Sequence, residues 1–390
     1  MNNNKMNFDF LMPTELKFGS GKFNDISNII KGIGLHAFIV TGKSSMKKLG
    51  YTNKLITALA DINIKSTVYN NISSSPSLME VEIGAKKARE VNADFVIGFG
   101  GGSVIDAAKA IAAISTGETP AKDYFYKRVE ISAATLPIIS IPTTAGTGSE
   151  MNRSAIIRDP DNNIKDGIRS NYLYPKMAIV DPELTHSLPK KETAETGFDV
   201  LTHAIESFVT PKAQPITDAF AIMAIKNILT HLPVVLSDPQ NTKSREYISL
   251  SSALMGYNLS FVGTCFPHRV DKPLCAIHPE ISHGQSLAVF YPYWAKLSWK
   301  GNTARFAELS YLFDKSTIKL TVNERAELFP ELITKFIKSI GLKTNICDLG
   351  ITNKIIPQLI EGAAGDLTIN PVPIKKEDLQ NIFENVFQVK

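Results

Sequence analysis

Residues 93–115 read ADFVIGFGGGSVIDAAKAIAAIS. An apolar run enters a cluster of glycines and leaves it as an alanine-rich helical pattern. A strand that feeds a helix through glycines presents backbone N–H groups at the helix start, where they can face a phosphate. Glycine suits that position because a side chain would hold a pyrophosphate away from the backbone. The third glycine of a dinucleotide G-x-G-x-x-G falls on Ser103, so the standard fingerprint is absent. Ser103 followed by Asp106 predicts a capping box on the helix.

Working outward, AFIVTG (37–42) and KSTVYNN (65–71) read as strands, and 44–60 and 77–92 as helices. LPIISIPTTAGTGSE (136–150) is another apolar strand, and it ends in a turn rich in hydroxyls and glycine. Strands alternating with helices imply βαβ units and a parallel sheet. Two donor-rich loops at the ends of neighbouring strands predict a nucleotide crevice. After residue 184 the texture changes. Helical patterns dominate over 193–209, 215–232, 244–261, 284–296 and 325–340, with two shorter ones near the C-terminus. The reading is an α/β nucleotide-binding domain over 1–185 and an all-helical domain over 186–390.

The 390 residues carry 42 Lys plus Arg against 38 Asp plus Glu, a net charge of +4 spread along the chain, which argues against a nucleic-acid partner. Three cysteines form no CxxC, as expected of a reducing compartment. No run approaches the ~18 consecutive apolar residues of a membrane helix, and MNNNKMNFDF has no signal-peptide pattern. A cytoplasmic protein with no membrane partner is expected.

Among the seven histidines, His203 stands four residues after Asp199, so both project from one helix face. His268 and His283 follow in a loop-to-helix segment, PHRVDKPLCAIHPEISHGQSLA. One carboxylate with imidazoles suits Fe²⁺ or Zn²⁺ better than Mg²⁺ or Ca²⁺. Alone, Asp199 and His203 are an ordinary helix-surface pair, and the constellation gains weight beside the nucleotide loops.

Taken together, MPTELKFGSGK, GGGSVIDAAKA, IPTTAGTGSE, DPDNNIK, VDPELT, GFDVLTHAIESFV, PITDAFA and SHGQSLAVFYP resemble the iron-containing (group III) alcohol dehydrogenases over about three-quarters of the chain. The resemblance implies a dehydroquinate-synthase-like fold, an α/β nucleotide domain followed by a helical domain, with a cleft between them that excludes water. It implies hydride transfer between a nicotinamide and a small alcohol or aldehyde, and a homodimer or larger assembly. By the same resemblance Asp199, His203, His268 and His283 fall on the metal ligands. Iron is the expected metal, and the ligand set also accepts zinc. Gly101, Gly102, Ser103, Asp106, Thr143, Thr144, Thr147, Lys165 and Leu184 match or neighbour its cofactor contacts.

Two departures mark this chain. Lys272 stands where the family commonly has a histidine near the nicotinamide, and the interval from His268 to His283 is one residue longer than usual, with His278 inside it. His278 is expected to carry the proton, slightly ahead of Lys272 on intrinsic pKa. The strand 37–42 ends in Gly42-Lys-Ser-Ser without the carboxylate of NAD-specific sites. Gly42, Ser44 and Ser45 leave room there, and Lys43 or Lys47 supplies charge, so NADP(H) is expected over NAD(H). The competing readings are a glycerol-type polyol dehydrogenase, a dehydroquinate-synthase-like lyase, a metal-dependent hydrolase without cofactor, and a nucleotide-binding protein with lost catalysis.

Overall fold

The computed structural model describes residues 7–363 and 365–388. Residues 1–6, most of the stretch read for a signal peptide, lie outside the described residues. Contacts divide the chain into two compact units, Leu11–Ser187 and a second that runs from Leu188 and includes residues 7–10. Phe10 stacks on Phe261 of that second unit at 4.7 Å.

The first unit is built on eight strands: β1 (Glu15–Phe18), β2 (His36–Gly42), β3 (Lys65–Ile72), β4 (Phe95–Gly100), β5 (Ile138–Pro142), β6 (Ser154–Asp159), β7 (Ile164–Arg169) and β8 (Met177–Val180). Six form one parallel sheet in the order β1-β8-β5-β4-β2-β3. Its inner strands β2, β4, β5 and β8 are buried on both faces, which explains their apolar runs, whereas the edge strands β1 and β3 are partly exposed and mixed in composition. Phe38, Val40, Val96 and Ile138 face one core, whereas Ala37, Ile39, Phe95, Ile97 and Ile139 face the other, the period-two alternation of a strand. Helices α1 (Tyr51–Ala60), α2 (Leu78–Glu90) and α3 (Gly102–Ile114) are its crossovers of ten residues or more. The chain steps from β2 outward to β3 and back past β2 to β4, so the winding reverses between β2 and β4. Ligands of doubly wound sheets bind at the carboxyl ends of the strands at such a reversal. Here those ends are Gly42 and Gly100.

The expected helix over 44–60 is divided by Gly50, whose φ of 78° lies in the left-handed region. The unforeseen β6–β7 pair is an antiparallel hairpin of six-residue strands. The capping box on Ser103 and Asp106 does not form. Gly101 is the N-cap of α3, the Ser103 hydroxyl donates to the Ser74 carbonyl at 2.6 Å, and Asp106 is taken by β6.

In the second unit the helices of ten residues or more are α4 (Lys190–Val209), α5 (Pro215–Ser237), α6 (Thr242–Val262), α7 (Pro267–Ile277), α8 (His283–Ser298), α9 (Thr303–Phe313), α10 (Val322–Ser339) and α11 (Leu379–Gln388). No strand occurs here among the described residues, so the expected fold class, α/β followed by all-helical, holds. The segment expected to be a loop before His283 is in fact helix α7. Pro267 sits in its first turn, where no N–H is needed, and burial of Val270, Leu274, Cys275 and Ala276 holds the helix through Pro273. Helix α4 is buried almost throughout from Thr193 and packs against α5, α6 and α8. Helix α5 is the one helix among the described residues long and apolar enough to cross a membrane. Its Ala221, Ala224, Ile225, Ile228 and Leu232 form a buried stripe at helical spacing, as in a core helix.

Candidate metal centre and nucleotide loops

Helix α4 places Asp199 and His203 one turn apart on a buried face, α7 presents His268, and His283 is the first residue of α8. Three imidazoles converge on one carboxylate oxygen. The Nε2 atoms of His203, His268 and His283 lie 3.6, 3.4 and 3.3 Å from Asp199 Oδ1. Asp199, His268 and His283 each bring one donor atom within 4.8 Å of the others. The His203 ring stacks on His268 at 4.6 Å.

The outer nitrogens fix the tautomers. His268 Nδ1 donates to Glu206 Oε1 at 2.8 Å and His283 Nδ1 to Asp271 Oδ2 at 2.6 Å, because an ionised carboxylate only accepts. In the neutral rings that a bound cation would require, each Nε2 lone pair would then point inward. This carboxylate–histidine arrangement orients imidazoles toward a cation, so the donor set fits a divalent metal with mixed nitrogen and oxygen preference. Charge balance within the cluster says the same. Burial opposes the Asp199 charge, yet His203 and His283 hold its carboxyl well below the usual range. Burial also opposes the His268 imidazolium, but Glu206 and then Asp199 push it up to about 9. The cluster gathers positive charge beside Asp199, a role a cation fills. Glu206 and Asp271 were not singled out in the sequence. The only local signal is their spacing, three residues after His203 and after His268.

In the first unit the two donor-rich loops interlock. Thr143 N–H donates to the Gly100 carbonyl at 3.0 Å. A Cβ built on Gly102 would overlap the Thr147 side chain, and one on Gly101 would press on Thr144 at 3.3 Å. Loop packing therefore leaves no room for a side chain at Gly102 and admits one at Gly101 only if Thr144 gives way. Lys43, Ser44, Ser45 and Lys47 are exposed at the carboxyl end of β2, and Gly42 has only ordinary contacts around its α-carbon. Lys165 lies on β7 opposite Arg158. Two expected cofactor residues are directed inward. Leu184 is buried in the core of one sheet face. The Asp106 carboxylate accepts from the Ser149 hydroxyl and from Ile156 N–H at 3.0 Å.

Beside it the fully buried Lys109 ammonium donates to Ser149 Oγ (2.9 Å), Asn152 Oδ1 (3.0 Å) and the Ser154 carbonyl (2.8 Å), tying α3 to the second loop. Burial, opposed by Asp106 and Glu150, brings its pKa down to about 8.

His278 lies past the end of α7, with its Nδ1 3.0 Å from the exposed Glu280 carboxylate. Lys272 sits on α7 one turn after His268, hence on the same helix face.

Residues 13–182 match the iron-containing alcohol dehydrogenase family model and residues 193–387 its C-terminal family model. The chain is 31% identical to the long-chain primary alcohol dehydrogenase of Thermoanaerobacter ethanolicus, covering 99% of both proteins. It is 30% identical to the NADPH-dependent butanol dehydrogenase of Clostridium saccharobutylicum over 97% of both. The crystal structure of sulfoacetaldehyde reductase from Bifidobacterium kashiwanohense in complex with NAD⁺ superposes with a TM-score of 0.87 at 31% identity, covering 99% of this chain and 100% of that one. The chain belongs to the iron-containing alcohol dehydrogenases, a family of alcohol oxidoreductases.

Proposed function

We propose that this protein interconverts a small primary alcohol and its aldehyde with NADP(H), using a divalent metal, iron by family, held by Asp199, His203, His268 and His283. The single observation that carries the reading is the convergence of three imidazole Nε2 atoms on Asp199 Oδ1. When bound, such a cation acts as a Lewis acid, favouring ionisation of a hydroxyl and polarising a carbonyl. With a cation bound, Glu206 and Asp271 would hold the ring protons of His268 and His283 at Nδ1 and leave Nε2 to the metal. The first turn of α3 and the Thr143–Thr147 stretch offer N–H and hydroxyl groups to the cofactor phosphates.

Support for NADP(H) comes from Gly42, Ser44, Ser45 and the exposed Lys43 and Lys47, where no carboxylate stands to repel a 2′-phosphate. Relatives divide on this point, one named for NADPH and another solved with NAD⁺. Lys272 replaces His278 as the preferred proton acceptor, because it shares a helix face with His268, whereas His278 lies past the end of that helix.

The test is a scan of alcohols and aldehydes with both nicotinamide cofactors and Fe²⁺ or Zn²⁺ under anaerobic conditions, alongside His203→Ala. The variant should lose turnover and keep NADPH binding. Stoichiometric metal together with alcohol oxidation in His203→Ala overturns the assignment.

A further inference from the structure

In the first unit a charge is buried where the second donor-rich loop, residues 143–150, leaves for strand β6. The Lys109 ammonium is fully enclosed, and its three donors are taken by Ser149 Oγ, Asn152 Oδ1 and the Ser154 carbonyl. These partners are themselves tied into the loop. Ser149 N–H donates to Thr147 Oγ1 at 3.2 Å, and the Ser149 hydroxyl donates to the Asp106 carboxylate. Asn152 Nδ2 donates to the Gly148 carbonyl at 3.1 Å, and Asn152 Oδ1 also accepts Ser154 N–H at 2.9 Å. Gly148 has a φ of 60°, in the left-handed region, so the backbone turns at the residue the amide holds. Residues 147–152 are thus closed onto two side chains of helix α3. Two turns before Lys109 on that helix, Gly102 lies so close to the Thr147 side chain that a Cβ would overlap it.

Burying an ammonium is costly even beside a carboxylate, and an apolar side chain of the same volume often holds two elements together as well or better. What the ammonium adds is direction, since three donors fix three oxygens at set distances. We propose that Lys109 is a positioning residue for the nicotinamide cofactor: without touching it, the ammonium holds Thr147 and the backbone of the second loop against the first turn of α3, and so sets the place from which the two loops bind it. The proposal rests on the reading that these two loops hold NADP(H). Binding groups on a loop keep their geometry only when the residues behind them are themselves locked by hydrogen bonds.

The experiment titrates the metal-free full-length chain with NADPH and with NADH, reading nicotinamide fluorescence, and separately with Co²⁺, reading its visible bands. Wild type is expected to bind one equivalent of nicotinamide nucleotide. Lys109→Met keeps an unbranched side chain and removes the three donors. It should weaken nucleotide binding about tenfold, the worth of one hydrogen bond to a charged group, while Co²⁺ affinity stays unchanged. In the Fe²⁺-loaded enzyme KM for the nucleotide should rise with kcat kept, the mark of lost uniform binding. Wild-type nucleotide affinity in Lys109→Met overturns the proposal and leaves the cofactor reading standing. An equal weakening toward nucleotide and Co²⁺ also overturns it, because it marks a general loosening of the chain. A wild-type chain that binds neither nucleotide overturns the cofactor reading and the proposal with it. Should Lys109→Met fail to fold, Asn152→Ala removes one of the three acceptors and the link to Gly148, and wild-type nucleotide affinity there is equally decisive.

Discussion

Glu206→Gln removes one charge from the interior and changes almost no volume, so its consequences follow from hydrogen-bond arithmetic. Glu206 is fully buried and accepts two donors, Cys265 N–H at 2.5 Å and His268 Nδ1 at 2.8 Å. A glutamine brings one acceptor oxygen and one NH₂ to the same place. If its oxygen takes Cys265 N–H, its NH₂ faces His268 Nδ1. The imidazole must then accept there and carry its proton on Nε2, the atom 3.4 Å from Asp199 Oδ1. Metal affinity should fall about 10–100-fold, or ~1.4–2.7 kcal/mol. If instead its oxygen takes His268, the Cys265 N–H is left buried without a partner, at a cost of about 1–3 kcal/mol in stability. Competition for Zn²⁺ against a chromophoric chelator reads the first outcome, and urea unfolding of the metal-free chain reads the second. A variant that keeps both wild-type metal affinity and wild-type stability refutes the tautomer argument.

Gly42→Asp should move the ratio of kcat/KM values toward NADH by at least about tenfold, since Gly42 has only ordinary contacts around its α-carbon; an unchanged ratio assigns cofactor choice elsewhere. Lys272→Ala should lower kcat about 10²-fold and reshape the pH–rate profile, with His278→Ala close to wild type, and the opposite pattern returns the proton to His278. Lys109 has its pKa at about 8 against the ordinary 10.5. Between these values the folded chain binds fewer protons than the unfolded one, so stability rises with pH. The stability of wild type relative to Lys109→Met should therefore increase from pH 8 to 10.5 in denaturant titrations, and a flat difference refutes the burial argument. Asp218→Ala should cost about 3 kcal/mol in urea unfolding, because Arg305 makes a bidentate pair to both Asp218 oxygens at 2.6 Å; unchanged stability shows the pair to be idle.

What the sequence determined by itself lies in features that are local along the chain. The strand, glycine cluster and helix of residues 93–115 declare themselves through short-range periodicity, and the helical texture after residue 184 does the same. Asp199 and His203 are neighbours by helix geometry alone, before any packing. The tertiary structure decided whatever depends on partners distant in sequence. Ser103 and Asp106 have capping-box spacing, yet Asp106 is drawn to Ser149 and to Ile156, 50 residues away. Strands β1 and β8 span four residues each, too short to carry a period, and exist as strands because β8 pairs with β5 and β1 with β8. Segment 267–277 holds two prolines and reads as a loop, but burying its apolar face makes it a helix and brings His268, Asp271 and Lys272 onto it. The outer carboxylates Glu206 and Asp271 carry no signature of their own, since a buried acid is recognised only by the histidine across from it. A chain specifies its periodicities through neighbouring residues. Convergence of three imidazoles on one carboxylate oxygen is a property of packed helices, and packing is where it is decided.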